Sequence, residues 1–208
     1  MAAHSAALIS TEELARRMDA PALRLFDCTT YLRPRPEGGY NVESGRANYD
    51  KGHIPGAAFL DLPGELSEPD TKLRFTLPSL GELTKAFAAK GIGHGTFVVL
   101  YSHATPNWAT RVWWMLRAVG FDDAAILDGG LDKWKAENRP LATEATTYPP
   151  ATLTLPVPQS PGTGETAVIS GLFNGAWMDL PGTASATEVS GGVTDLTTFA
   201  VRFVTDQS

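Results

Sequence analysis

The sequence predicts an α/β fold: a mainly parallel sheet with helices on both faces. Three observations predict it. Apolar runs of five or six residues recur at 23–28, 57–61, 96–101 and 124–128, the length and character of buried strands. Helix-opening signals fall between those runs. Strands this apolar need cover on both faces, and the intervening helices supply it.

In chain order, Ser10-x-x-Glu13 is a capping box that opens a short helix through LARRM (14–18), because serine at the N-cap and glutamate three residues on satisfy each other's orphan donors. LRLFDC (23–28) follows as a buried strand, and residues 29–52, rich in Pro, Gly and Arg, read as a long polar loop. AAFLD (57–61) is the second strand. Ser79-x-x-Glu82 opens a helix with Leu80, Leu83 and Phe87 on one face, stopped by Gly91. TFVVLY (96–101) is the strongest strand, β-branched and aromatic without a charge. A helix over 108–119 ends at Gly120, AAILD (124–128) is the fourth strand, and Gly129-Gly130 turns into the short helix LDKWKAE.

Composition narrows the function classes. Across 208 residues the formal charge is −6 and 43% are hydrophobic, which fills a core and argues against nucleic acid or an anionic membrane as partner. No run approaches the ~18 apolar residues of a spanning helix, and the N-terminus lacks the basic flank of a secretory signal. The expectation is a cytoplasmic chain. The single cysteine, Cys28, excludes an internal disulfide framework and a multi-cysteine zinc site. His4, His53, His94 and His103 are scattered without ligand spacing, so no metal and no cofactor are expected.

Composition also breaks near residue 141. The 67 residues beyond it carry one Arg, no Lys, no His and six acids, and 39 of them are Gly, Ala, Ser, Thr or Pro. Residues 149–161 hold five prolines, which rules out helix there. The expected division is a folded body over 8–141, a Pro/Thr/Gly-rich linker over 142–165, and a tail over 166–208 in which TTFAVRFV (197–204) alternates like a strand.

In open parallel sheets, ligands bind at the carboxyl ends of strands, where loops run into helix N-termini. Here that loop is Ser102-His103-Ala104-Thr105-Pro106-Asn107, after VVLY and before the 108–119 helix. Converging amides and the helix dipole favour an anion there, and would lower the pKa of a cysteine. The residue at the head of the loop is Ser102.

LFDC (25–28), GHIPGA (52–57), VVLY (98–101), ATRVWWMLRAVG (109–120) and LDGGLDKW (127–134) together resemble a rhodanese domain. The likeness is to the N-terminal half of tandem thiosulfate and 3-mercaptopyruvate sulfurtransferases, over roughly 8–141. The resemblance implies sulfane-sulfur transfer through a loop cysteine persulfide, carried in tandem members by the C-terminal half. Ser102 in the cysteine position agrees with an N-terminal half. Residues 142–208 show no second GHIPGA and no cysteine-bearing loop, as in a half that is replaced, truncated or read out of register. The implied partner is a small sulfur-containing anion or a second rhodanese domain.

Other chemistries are weaker. A nucleophilic Ser102 needs a base, and the adjacent His103 is poorly placed to face its hydroxyl; G-x-S-x-G is absent. Serine does not carry sulfane sulfur either. A phosphatase loop of Cys-x₅-Arg type fails, because Trp108 stands six residues after Ser102. Cys28 is read either as a thiol sharing the cleft with Ser102 or as a buried core residue. His53, within Gly52-His53-Ile54-Pro55-Gly56, is read as a scaffold imidazole bridging backbone groups. Arg111 faces an anion in the loop or pairs with Asp128 or Asp27. Asp128, Gly129 and Gly130 form the turn of a structural motif. Trp113, Trp114 and Trp134 read as packing, and Arg33-Pro34-Arg35 as a solvated loop with a substrate-facing role open. Two functions from different classes follow: a sulfurtransferase half, or a non-catalytic module that binds a partner or small anion through the Ser102 loop.

Overall fold

The computed structural model describes residues 7–69, 71 and 73–155, and the backbone of 168–173 and 176–181. Five strands, β1 (Leu8–Ile9), β2 (Leu23–Asp27), β5 (Ala58–Phe59), β6 (Phe97–Tyr101) and β7 (Ala124–Leu127), form one sheet in the order β1-β7-β6-β2-β5. Every pairing in it is parallel. Helices α1 (Thr11–Arg17), α4 (Leu80–Ala89) and α5 (Asn107–Ala118) connect the strands and α6 (Gly130–Ala136) follows the last of them, and both predicted capping serines, Ser10 and Ser79, accept from the backbone of Glu13 and Glu82.

The two-residue period of a strand splits the core into two layers. Val98, Leu100, Ala124, Ile126 and Phe26 pack on one face with Leu83, Phe87, Val112 and Met115. Val99, Tyr101, Ala125, Leu127 and Leu25 pack on the other with Leu14, Tyr49 and Trp134. Central strands buried on both faces leave the loops at their carboxyl ends as the exposed, chemically diverse edge.

Three expectations differ from the structure. Residues 29–52 are not a loop: β3 (Thr30–Pro34) and β4 (Tyr40–Ser44) form an antiparallel hairpin, followed by α2 (Arg46–Tyr49). Gly38 and Gly39, at φ 95° and 76°, turn that hairpin, which L side chains rarely allow. Arg33 and Arg35 lie on it, paired with Glu43 and Asn41. The short helix α3 (Leu62–Glu65), with Pro63 in its first turn, was also outside the expectation.

The third difference is the segment after 141. It divides not at 141 but near 156, with Met1–Pro156 and Val157–Ser208 as two compact units. Residues 142–155 run along the body as an extended strap. Ala142 exchanges two backbone hydrogen bonds with His53, each 2.9 Å, and His94 N donates to Thr152 O at 2.9 Å. Tyr148 Oη donates to Gly56 O at 2.7 Å and accepts from Leu25 N at 3.0 Å. Proline bars helix, not docking: an extended strand of carbonyls and amides still finds partners. In the second unit, β8 (Val168–Phe173) and β9 (Ala176–Pro181) pair antiparallel. The strand expected over 197–204 lies outside the described residues.

Candidate functional site

Ser102 directly follows β6 and is buried. Its hydroxyl donates to Thr105 O at 2.5 Å, which ties the head of the loop to its own turn. Gly130 approaches so closely that a Cβ there would stand 2.4 Å from Ser102 O; its φ of 55° adds a second reason for glycine.

The loop does not offer free amides to an anion, contrary to expectation. His103 N donates to Thr29 Oγ1 at 3.0 Å, Ala104 N to Asp132 Oδ2 at 2.7 Å, and Thr105 N to His103 O at 2.8 Å. Asn107 N reaches Thr105 Oγ1 at 3.4 Å, and Pro106 has no amide hydrogen. Asp132, from the first turn of α6, therefore brings a carboxylate of the chain itself to the loop. The cavity beside Ser102, about 280 Å³, is lined by Asp128 and Asp132 and by no Lys or Arg. That lining repels an anion.

His103 faces away from Ser102. Its Nε2 lies 3.2 Å from Asp132 Oδ1 and its Nδ1 3.0 Å from Tyr31 Oη. Tyr31 Oη accepts from Asn48 Nδ2 at 2.6 Å, so its own proton is free for His103 Nδ1. No base reaches the Ser102 hydroxyl among these contacts.

Arg111 departs from both of its expected roles. It turns to Phe75 O at 3.0 Å and stacks over Trp114, 4.7 Å from the ring centroid. Half-buried in that place, its guanidinium is held below its ordinary pKa by desolvation. Asp128 pairs instead with Lys133 at 3.2 Å, and Asp27 Oδ1 accepts from the amide and hydroxyl of Thr29.

Cys28 is fully buried in the layer with Phe26 and Leu60. Burial pushes its thiol well above the ordinary range, and the Asp27 charge adds to that. A thiol in that environment is a core residue, not a nucleophile. His53 is also fully buried. It stacks on Tyr49 at 3.8 Å, with Nδ1 at 2.8 Å from Tyr49 O and Nε2 at 3.2 Å from Glu144 O. Its ring thus links the Gly52–Gly56 turn, where Ile54 N donates to Tyr101 Oη, to the strap. Among the described residues no group of three His, Cys, Asp or Glu can hold a metal ion, and no helix is long and apolar enough to cross a membrane.

A family model described as "Rhodanese-like domain" matches residues 10–137. The chain belongs to the rhodanese family. The match covers β2, β5, β6 and β7, the helices between them and the Ser102 loop. Over 136 residues, a protein of Pseudomonas aeruginosa named "Probable 3-mercaptopyruvate sulfurtransferase" is 39% identical, covering 64% of this chain and 45% of the relative. The human 3-mercaptopyruvate sulfurtransferase is 34% identical over 151 residues, covering 70% of this chain and 48% of the relative. The chain thus spans about half the length of these curated relatives. The crystal structure of the Escherichia coli 3-mercaptopyruvate sulfotransferase shares the rhodanese fold, at a TM-score of 0.61 and 24% identity over 77% of this chain and 59% of that one.

The strap and the β3–β4 hairpin are the parts that sequence reasoning missed. Gly38-Gly39 between two alternating stretches signalled the hairpin. For the strap, the aromatic Tyr148 and the apolar Leu153 within a proline-rich stretch were the available sign; the structure half-buries the first and buries the second.

Proposed function

We propose that this chain is the N-terminal half of a sulfurtransferase of the thiosulfate or 3-mercaptopyruvate type, and that it supplies scaffold rather than the sulfur-carrying thiol. One observation carries the reading: the family's cysteine position holds Ser102, whose hydroxyl is committed to Thr105 O. In sulfur transfer from thiosulfate, a thiolate attacks the outer sulfur, a new S–S bond forms, the old one breaks and sulfite leaves with the electron pair. Serine does not form that persulfide, and Cys28 is buried. Turnover then requires a second rhodanese half with a loop cysteine.

The test is thiocyanate formation from thiosulfate and cyanide. The chain alone is expected to match a no-protein control. Turnover above control by the chain alone, abolished by Cys28→Ser, would overturn the scaffold reading. The second reading, a non-catalytic module binding a partner, is favoured by the same serine; binding of an anion at the Ser102 loop is disfavoured by Asp128 and Asp132 in its lining.

A further inference from the structure

The hydrogen-bonded group Asn48–Tyr31–His103 forms one wall of a second cavity at the carboxyl end of β2, on the other side of the Ser102 loop. It holds about 260 Å³, roughly nine times the ~30 Å³ share of a water molecule in the liquid. Its charges oppose those beside Ser102. Lys51, just after α2, and Lys135, on α6, both line it, and neither makes an ion pair among the described residues. In a chain of net charge −6, two unpaired ammonium groups at one concave site are a local exception, and a concave wall focuses their field.

The remaining walls select further. Leu131 and the exposed Leu141 supply apolar surface, which favours a ligand with a carbon chain over a bare inorganic ion. Asp27 lies buried at the inner end, where a second negative charge would meet a carboxyl group. That geometry favours one anionic head at the lysines and a neutral chain within.

We infer that this cavity is a binding site for a small organic monocarboxylate, its carboxylate held by Lys51 and Lys135 and its short chain against Leu131 and Leu141. The site lies outside the Ser102 loop and needs no thiol. Its occupancy is read without sulfur transfer, so its outcome is independent of the thiocyanate assay.

The probe is butyrate, titrated into the full chain and followed by amide ¹H–¹⁵N resonances, with butyramide and sulfate as comparisons. Butyrate is expected to shift amides of 48–52 and 131–141 saturably, butyramide hardly at all, and sulfate far more weakly. The double variant Lys51→Met, Lys135→Met should weaken butyrate by about tenfold or more, the loss of charge-assisted contacts. Both lysines are exposed, so the variant keeps the fold, and an unchanged spectrum without ligand checks this. Absence of saturable shifts, equal response to sulfate, or butyrate binding that survives in the double variant would each overturn the site.

Discussion

The Asp132 carboxylate closes the Ser102 loop from α6: its Oδ2 accepts the Ala104 amide at 2.7 Å, and its Oδ1 lies 3.2 Å from His103 Nε2. Ala104 sits at φ 66°, a region that non-glycine residues seldom occupy. An internal acceptor for its amide helps to hold that conformation. The loop is thus closed by its own chain. Ser102 caps the turn from one side and α6 from the other.

A thiol placed at the head of this loop tests that closure. A free-amide cradle would draw a cysteine pKa below the ~8.5 of a free thiol. In Ser102→Cys the opposite is expected, because the position is buried and the amides are engaged. Alkylation rate against pH, in a Cys28→Ser background, should place the thiol at or above the free value. Adding Asp132→Asn should lower it. A thiol that titrates below the free value with Asp132 intact would mean that the amides are available after all.

The strap predicts where proteases cut. Residues 142–155 are held by backbone bonds at Ala142, Ala151 and Thr152 and by the Tyr148 hydroxyl. Limited proteolysis should spare 142–155, leaving a stable fragment that keeps it. Tyr148→Phe should cost about 1 kcal/mol, since it removes the partner of the part-buried Leu25 amide while water can replace the bond to the exposed Gly56 carbonyl. Denaturant unfolding of the full chain measures this. Early cleavage between 142 and 150 in the native chain would show that the strap is not docked.

Much of the body was legible because its signals are local. The four apolar runs became β2, β5, β6 and β7, and the capping boxes opened α1 and α4 at Ser10 and Ser79. What the sequence hid is non-local. Arg111 was placed near the loop by its position one turn into α5, but a Phe75 carbonyl and the Trp114 ring hold it elsewhere. The role of Asp132 is equally non-local, since nothing in the neighbouring sequence says that a helix N-terminal aspartate will reach an amide 28 residues away. Over 149–155 the proline content signalled extended chain correctly and docking not at all. In the second unit, Asn174-Gly175 between VISGLF and AWMDLP is a local hairpin signal in the sequence, and β8 and β9 on either side of it pair.

Cys28 offers a check on burial itself. Its fully buried thiol, with its pKa pushed upward, should react with iodoacetamide only when the chain unfolds. The native protein is expected to be silent for hours and the urea-unfolded protein to label rapidly. Cys28→Ser should destabilise by about 1–3 kcal/mol, the cost of a hydroxyl in an apolar site. Rapid labelling of the folded chain would remove Cys28 from the core.

Asp27 gives a pH dependence whose sign is opposite to that of most carboxylates. Burial is the main influence and raises its pKa above the ordinary 3.8, against the pull of the Thr29 and Tyr101 hydrogen bonds. The folded chain therefore binds this proton more tightly than the unfolded chain. Its contribution to stability is full below 3.8 and is lost as pH rises through the higher folded value. Exposed carboxylates that are held low, such as Glu82 by Ser79 and Glu137 by Arg139, push the other way, so the total curve hides the effect. The difference between wild type and Asp27→Asn isolates it. An asparagine keeps an oxygen for the Thr29 amide but has no proton to lose. The urea midpoint of the variant relative to wild type should therefore climb from about pH 4 towards pH 7, whatever its offset at the acid end. A difference that is flat, or that falls with pH, would mean that the Asp27 carboxylate is better held in the folded chain than in water.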